Sequence, residues 1–280
     1  MLLQNVKNEQ LEDRKLRFYR IMWYPIPIEK DVFLYDCKKS VKSSNLSFSW
    51  EEKCEWMDEY LKFINKWGGL FKNFPFVREV YLANSISFNA LSSDSDIDLF
   101  VITENWRVWT SRLLVSFLMM LFWIKRTKNN YKKKFCLSFF VDKNNSNLEK
   151  ILLNRKDIYL PYWIAHLVPL YVEEKNPEVF KNNQWIKRFL PNIWLTQNIY
   201  LWNVIISWRW YFKKYVEFLL DWDLWDKIEN IIQEKWGDRM KKIIAKNPDM
   251  HKWVVCENWM LKFYKDMRKY YSDLFFSNDN

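Results

Sequence analysis

The chain has 280 residues, of which 49% are hydrophobic and 19% aromatic, and it carries a net charge of +10. This hydrophobic content excludes a largely disordered chain and is sufficient for one large or two small domains with a sizeable core. The basic balance and the many aromatic rings permit phosphate contacts and base stacking, so a nucleic-acid partner and a merely solvated surface both stay open.

Residues 1–48 predict a helical leader with an irregular exit rich in lysine and serine. Residues 50–67 alternate charged and apolar groups at helical spacing, and the following Gly68 and Gly69 are typical of a helix end. The leader begins without a continuous apolar segment, so secretion is not expected and a cytoplasmic location is predicted.

Residues 49–147 predict a core, within which residues 71–142 are expected to form a strand, a loop, a strand, a helix and a strand. An apolar run at residues 80–83 is followed by the turn-like pair Asn84 and Ser85 and then by a serine-rich polar loop. Residues 97–102 have the β-branched and aromatic content of a buried strand.

Asp96 and Asp98 are the residues of this core that point most directly to chemistry. Side chains alternate along a strand, so both carboxylates project to the same side, roughly 6 to 7 Å apart. Two carboxylates at this spacing can share divalent cations, and Mg²⁺ (or Mn²⁺) takes its remaining ligands from water and nucleotide phosphates. The alternative is a serine-rich hairpin loop with two solvent-facing aspartates.

From the apolar run through the turn to the acidic strand, the chain resembles the DNA polymerase beta superfamily of nucleotidyltransferases. That family has an apolar residue, Gly, and Gly or Ser, then a spacer and Asp-x-Asp or Asp-x-Glu. Asn84 stands at the family's glycine, and asparagine tolerates the left-handed backbone region better than other residues with a side chain. The resemblance implies nucleotide binding by Asn84 and Ser85 and a catalytic metal held by Asp96 and Asp98.

The chain also resembles uncharacterised bacterial nucleotidyltransferase-domain proteins over scattered fragments. These are residues 24–27, 109–114, 135–141, 183–185, 190–192 and 258–263. Superfamily enzymes carry a third carboxylate on a neighbouring strand, and Ser138 occupies the expected position here. Asp142 is a weak candidate for that role, because it ends the same strand about 13 Å further along. The Pro161-Tyr162-Trp163 triplet replaces an Ala-His-Glu triplet of the relatives.

Four further parts of the chain are interpreted mainly as structural. Residues 113–124 predict a core helix that is too short to cross a bilayer, and residues 125–134 predict a basic loop, either a solvated connector or an electropositive rim. The Trp- and Lys-rich residues 199–222 fit an amphipathic packing helix, so membrane association is not expected. Residues 148–280 predict a helical cap or accessory region broken at prolines.

Cysteines and histidines show no metal-binding spacing. The four cysteines are widely separated and predict free thiols in a reducing compartment. His166 and His251 are the two histidines, and each is interpreted as a structural residue.

The combined prediction is an α+β protein with a small mixed sheet of nucleotidyltransferase type and a mostly helical C-terminal region. Its predicted activity is Mg²⁺-dependent transfer of a nucleotidyl group from a nucleoside triphosphate to an unknown acceptor, which could be RNA, a small molecule or a protein hydroxyl. The alternative is a catalytically inactive protein of this fold that binds nucleic acid or a protein partner.

Overall fold

The computed structural model describes residues 55–88, 90–154, 157–174, 176–190, 211–220, 223–246, 254–263, 268–270 and 273. The predicted leader at residues 1–48 lies outside the described residues, as do Cys37, Cys54 and His251.

A six-stranded mixed sheet forms the centre of the described structure, in the spatial order β4-β1-β2-β3-β6-β5. The strands are β1 (Val77–Ala83), β2 (Ile97–Thr103), β3 (Phe135–Asp142), β4 (Val168–Val172), β5 (Val255–Cys256) and β6 (Met260–Lys262). The α-helices are α1 (Met57–Trp67), α2 (Val108–Leu121), α3 (Tyr159–Ala165), α4 (Glu178–Asn182), α5 (Tyr211–Leu220) and α6 (Asp223–Lys246).

The first three strands follow the predicted order of strand, loop, strand, helix and strand. Strands β1 and β2 pair antiparallel, whereas β2 and β3 pair parallel and are connected through α2. A parallel pair needs such a crossover connection, because the chain must return to the same end of the sheet before the next strand begins. This part of the fold prediction is confirmed.

The C-terminal region differs from the prediction because it supplies strands as well as helices. Strand β4 pairs antiparallel with β1, and β6 pairs antiparallel with β3 and β5. These strands have only two to five residues, so they offer too few alternations for a periodicity to be recognised. The sheet therefore continues across the predicted boundary at residue 147.

Apolar side chains cover both faces of the sheet. Tyr81, Phe100 and Phe139 belong to a buried cluster on one face, and Val80 and Phe140 belong to the cluster on the other. The rings of Phe100 and Phe139 lie 4.9 Å apart between their centroids. A sheet buried on both faces is a rigid support for polar groups at the ends of its strands.

Helix α2 is only partly the core helix that the sequence predicts. Val108, Val115 and Met119 are buried, but Phe117 and Leu121 on the same helix are more than half exposed. Within the described ranges, no helix combines the length and the apolar character needed to span a membrane.

Candidate functional site

The turn after β1 has the backbone conformation that its asparagine was expected to tolerate. Asn84 has a φ of 58°, in the left-handed region. The carbonyl of Asn84 accepts hydrogen bonds from the Phe88 N–H at 3.0 Å and the Ser87 hydroxyl at 2.9 Å. Ser85 follows in the same turn, and its carbonyl accepts from the Ala90 N–H at 2.8 Å. The turn is thus closed by local hydrogen bonds.

The side chain of Asn84 joins two other elements. Its Nδ2 donates to Asp98 Oδ2 at 2.8 Å, and its Oδ1 accepts from Trp163 Nε1 of α3 at 2.8 Å. Both ends of the amide are engaged, which fixes its orientation. Asparagine therefore places a side chain where the glycine of the resembled family would leave open space.

Asp98 is surrounded by neutral donors. Its Oδ1 accepts from the Ser138 hydroxyl at 3.3 Å, in addition to the Asn84 bond. Burial and the nearby charge of Asp96 raise the pKa of Asp98, and hydrogen bonds from Asn84, Cys136 and Ser138 offset this rise only in part. A cation beside Asp98 would favour its charged form.

Arg126 is the cation nearest to Asp96 in the described structure. Its Nη1 lies 3.0 Å from Asp96 Oδ2 but is not aligned for a hydrogen bond, and this buried oxygen has no hydrogen-bond partner among the described residues. Arg126 also donates to Cys136 Sγ at 3.4 Å, the contact that contributes most to its raised pKa. The guanidinium thus stands beside the acidic pair while its own side chain stays half exposed.

Strand pairing brings Cys136 to the two aspartates. Asp98 and Cys136 are partners in the parallel β2–β3 pair, and one ligand atom from each of Asp96, Asp98 and Cys136 lies within 4.8 Å of the others. Burial and the charges of Asp98 and Asp96 raise the pKa of the Cys136 thiol, so it is protonated at neutral pH. The two carboxylates fit a hard divalent cation, whereas a protonated thiol does not serve as its ligand.

The structure does not bring Asp142 to this site. Asp142 pairs with Thr103 at the far end of β2, and its Oδ1 accepts from the backbone N–H and side-chain Nδ2 of Asn145 at 2.9 and 2.7 Å. Between Asp98 and Phe100, β2 advances two residues while β3 advances three, so the strict alternation used for Asp142 does not hold. Asp142 instead caps the short 3₁₀ turn that follows β3.

Three residues at the site were not singled out from the sequence. Cys136 was interpreted only as a free thiol, which it is, and the parallel register places it opposite Asp98. Arg126 lay within a basic loop of six cationic residues, with no signal that distinguished it. Trp163 lay in the triplet that departs from the resembled proteins, and this departure was the one available hint.

His166 is structural as predicted, since it is buried and its Nδ1 lies 2.8 Å from the Tyr162 carbonyl.

No protein-family model, curated protein or solved structure matches this chain.

Proposed function

We propose that the chain is a protein of the nucleotidyltransferase type that binds a nucleoside triphosphate with Mg²⁺ or Mn²⁺ through Asp96 and Asp98. The observation that carries the proposal is the convergence of these carboxylates at the start of a buried strand, beside the left-handed turn at Asn84. The buried, unbonded Asp96 Oδ2 and the raised pKa of Asp98 both support a site that lacks sufficient positive charge.

Asp96 and Asp98 would hold the metal, which would neutralise charge on the phosphates and promote in-line displacement at phosphorus. The chain's own contribution is positioning. Asn84 and Ser138 orient the Asp98 carboxylate, and the sheet keeps Asp96 beside it. Ser85, in the turn next to Asn84, would donate its hydroxyl to a phosphate oxygen.

Arg126 would act together with these groups. Its guanidinium reaches Asp96 from an exposed loop, so it can leave the carboxylate and turn towards a phosphate when a metal supplies the positive charge. The nucleotidyl group would then pass to an acceptor hydroxyl on RNA, a small molecule or a protein.

Three observations favour a second function, a catalytically inactive fold that binds nucleic acid or protein. The Asn84 amide fills space beside Asp98, and within the described residues no third carboxylate joins the cluster. Arg126 already supplies a positive charge to Asp96. In this case the acidic pair would be a structural remnant balanced by arginine.

Calorimetric titration with ATP, GTP, CTP and UTP, with and without Mg²⁺ or Mn²⁺, tests the proposal. We expect one triphosphate to bind only with metal, and an Asp96→Asn, Asp98→Asn double variant to lose this binding. The matched control is Asp221→Asn with Asp223→Asn, which alters another Asp-x-Asp pair of the same chain. This control should bind like the wild type.

Failure of all four triphosphates to bind at millimolar concentration, with either metal, would overturn the proposal and favour the binding module. Metal-dependent binding without transfer of labelled nucleotide to total RNA, to protein or to small-molecule hydroxyls would favour an inactive nucleotide-binding protein. Transfer that survives the Asp96→Asn, Asp98→Asn change would place the active site elsewhere.

A further inference from the structure

The C-terminal end of α2 exposes a group of large apolar side chains, here called the α2 tip. The α2 tip comprises Phe117, Met120, Leu121, Phe122 and Trp123. The exposed fractions of these residues are 59%, 53%, 61%, 43% and 78%, respectively. Contiguous exposed apolar surface of this kind is typical of a site of interaction.

The outer face of α2 is unusual because it is apolar in addition to the face that packs against the protein. Its opposite face is buried through Val108, Val115 and Met119, so the helix already has the apolar face needed to pack against the sheet. A helix that is apolar on all sides is normally buried in a protein or a membrane. The 14 residues of α2 are too few to span a bilayer, so its exposed side chains could meet a membrane only at the interface.

The backbone at Trp123 presents its ring to solvent at the end of the helix. Trp123 has a φ of 57°, in the left-handed conformation that helix ends usually assign to glycine. A bulky residue in this region is strained. Lys134 Nζ donates to the Trp123 carbonyl at 2.7 Å and so holds this conformation. The fold therefore keeps the Trp123 backbone in a strained conformation while the indole ring of this residue is exposed to solvent.

Lysine side chains lie beside the α2 tip. The basic loop of residues 125–134 follows the tip directly, its Lys128 is exposed, and the Lys134 Nζ contacts the Trp123 carbonyl. On the neighbouring helix α1, Lys66 lies 5.1 Å from the ring centroid of Trp67, whose ring is 5.7 Å from that of Phe122. Apolar and aromatic groups bordered by lysines match the interface of an anionic bilayer, where tryptophan lies at headgroup level and lysines meet phosphates.

We propose that the α2 tip is a peripheral membrane-binding surface for anionic lipid. The tip joins the aliphatic side chains of Met120 and Leu121 to aromatic rings at a helix end, and such a group suits shallow insertion between lipids. The net charge of +10 attracts the chain to an anionic surface at longer range. The prediction against membrane association rested on residues 199–222 and on the shortness of residues 113–124, which excludes a bilayer span but not shallow contact by the α2 tip.

Sedimentation with large vesicles tests this proposal on the full chain. We expect binding to vesicles of phosphatidylcholine with phosphatidylglycerol to exceed binding to pure phosphatidylcholine by at least about tenfold, and to weaken with salt. A Leu121→Ser, Trp123→Asn variant should lose roughly tenfold in anionic-vesicle binding. Asparagine suits the left-handed backbone, so this variant should fold.

The matched control is Leu153→Ser with Trp106→Asn. Trp106 is 60% exposed with a φ of 60°, and it precedes α2, so it repeats the chemistry of Trp123 at the other end of the helix. This control should bind vesicles like the wild type. Equal losses in the two variants, or no preference for anionic vesicles, would overturn the proposal.

Two further outcomes would assign the surface to another partner. Concentration-dependent dimerisation in light scattering, lost in the Leu121→Ser, Trp123→Asn variant without vesicle binding by the wild type, would show that a second copy covers the tip. Salt-sensitive binding of single-stranded RNA that depends on Trp123, again without vesicle binding, would identify a nucleic-acid surface. Either result contradicts the membrane proposal.

Discussion

Charged side chains gather at both ends of the β1–β2 pair, but the two groups are balanced differently. At one end, Arg78 contacts Glu104, Glu173 and Glu217 at 2.8, 2.9 and 3.1 Å, and Lys213 lies 3.4 Å from Glu173. We call these five residues the ion cluster. Each of its carboxylates has a direct cationic partner, as expected of a structural network.

At the other end, Asp98 is bound only by neutral donors in the described structure, and Asp96 has one oxygen without a hydrogen bond. The pKa shifts of Asp98 and Glu104 follow this difference in charge balance. Burial and Asp96 raise the pKa of Asp98, whereas Glu104 has a lowered pKa because its backbone hydrogen bond and Arg78 outweigh burial. The buried Asp96 oxygen without a hydrogen bond thus marks the acidic pair as a candidate site for a cation, whereas the fully paired ion cluster is structural.

The largest expected effect comes from breaking the ion cluster. Arg78→Met should lower the free energy of unfolding by roughly 3 kcal/mol, because it leaves several half-buried carboxylates without their guanidinium partner. Urea denaturation followed by circular dichroism measures this loss. The control is Arg188→Met, which removes a 61% exposed arginine from its ion pair with Glu149 and should cost less than about 1 kcal/mol. Similar losses in both variants would contradict the structural role of Arg78.

At the acidic pair, Asp96 and Asp98, we expect a substitution to increase the free energy of unfolding instead of lowering it. Asp98→Asn should raise the free energy of unfolding at neutral pH without metal by about 1 kcal/mol, because it removes a partly buried charge and its repulsion with Asp96. The same urea experiment measures the gain. Asp94→Asn, at a 67% exposed carboxylate of the preceding loop, should change stability by less than about 0.5 kcal/mol. A destabilised Asp98→Asn protein would show that the Asp98 charge is structurally required.

Removing the cation at the acidic pair sharpens the comparison further. Arg126→Gln should increase the affinity for Mn²⁺ alone by about fivefold, because the metal no longer competes with a guanidinium beside Asp96. Electron paramagnetic resonance of free Mn²⁺ reports this affinity without nucleotide. Arg126→Lys keeps the positive charge and should resemble the wild type. Unchanged or weaker Mn²⁺ binding in Arg126→Gln would refute the competition.

The pH dependence provides the smallest and most direct test. A carboxyl whose folded pKa is raised stabilises the protein at low pH, and this contribution is lost as pH rises from the unfolded value of 3.8 through the folded pKa of Asp98. The gain from Asp98→Asn should therefore grow between about pH 4 and pH 7.

Glu104 should behave in the reverse way. Its lowered pKa contributes stability above the unfolded value of 4.5, and this contribution is lost as pH falls through the folded pKa. The cost of Glu104→Gln should thus be largest near neutral pH and fade in acid. Urea unfolding across this range gives both curves, and parallel curves for the two variants would erase the distinction between the ends of the sheet.

Local pattern was sufficient for part of the fold. The runs around β1, β2 and β3 and the apolar helix between them have enough consecutive residues for alternation or helical spacing to be seen. Strands β4 and β6 are short, and their partners are distant in the chain, so only pairing with β1 and β3 makes them strands. The sequence did not predict that the outer face of α2 is exposed. The apolar residues of a helix do not by themselves show which of its sides packs against the rest of the protein.

The sequence by itself determined the Asp96–Asp98 spacing, the turn at Asn84 and the basic, aromatic composition, because each depends on neighbouring residues and backbone preference. Only the tertiary structure decided that Cys136, Arg126 and Trp163 join this site and that Asp142 does not. Those contacts join residues up to 79 positions apart, and they depend on strand register and packing. A single extra residue in a strand changes the register, and no local pattern specifies it.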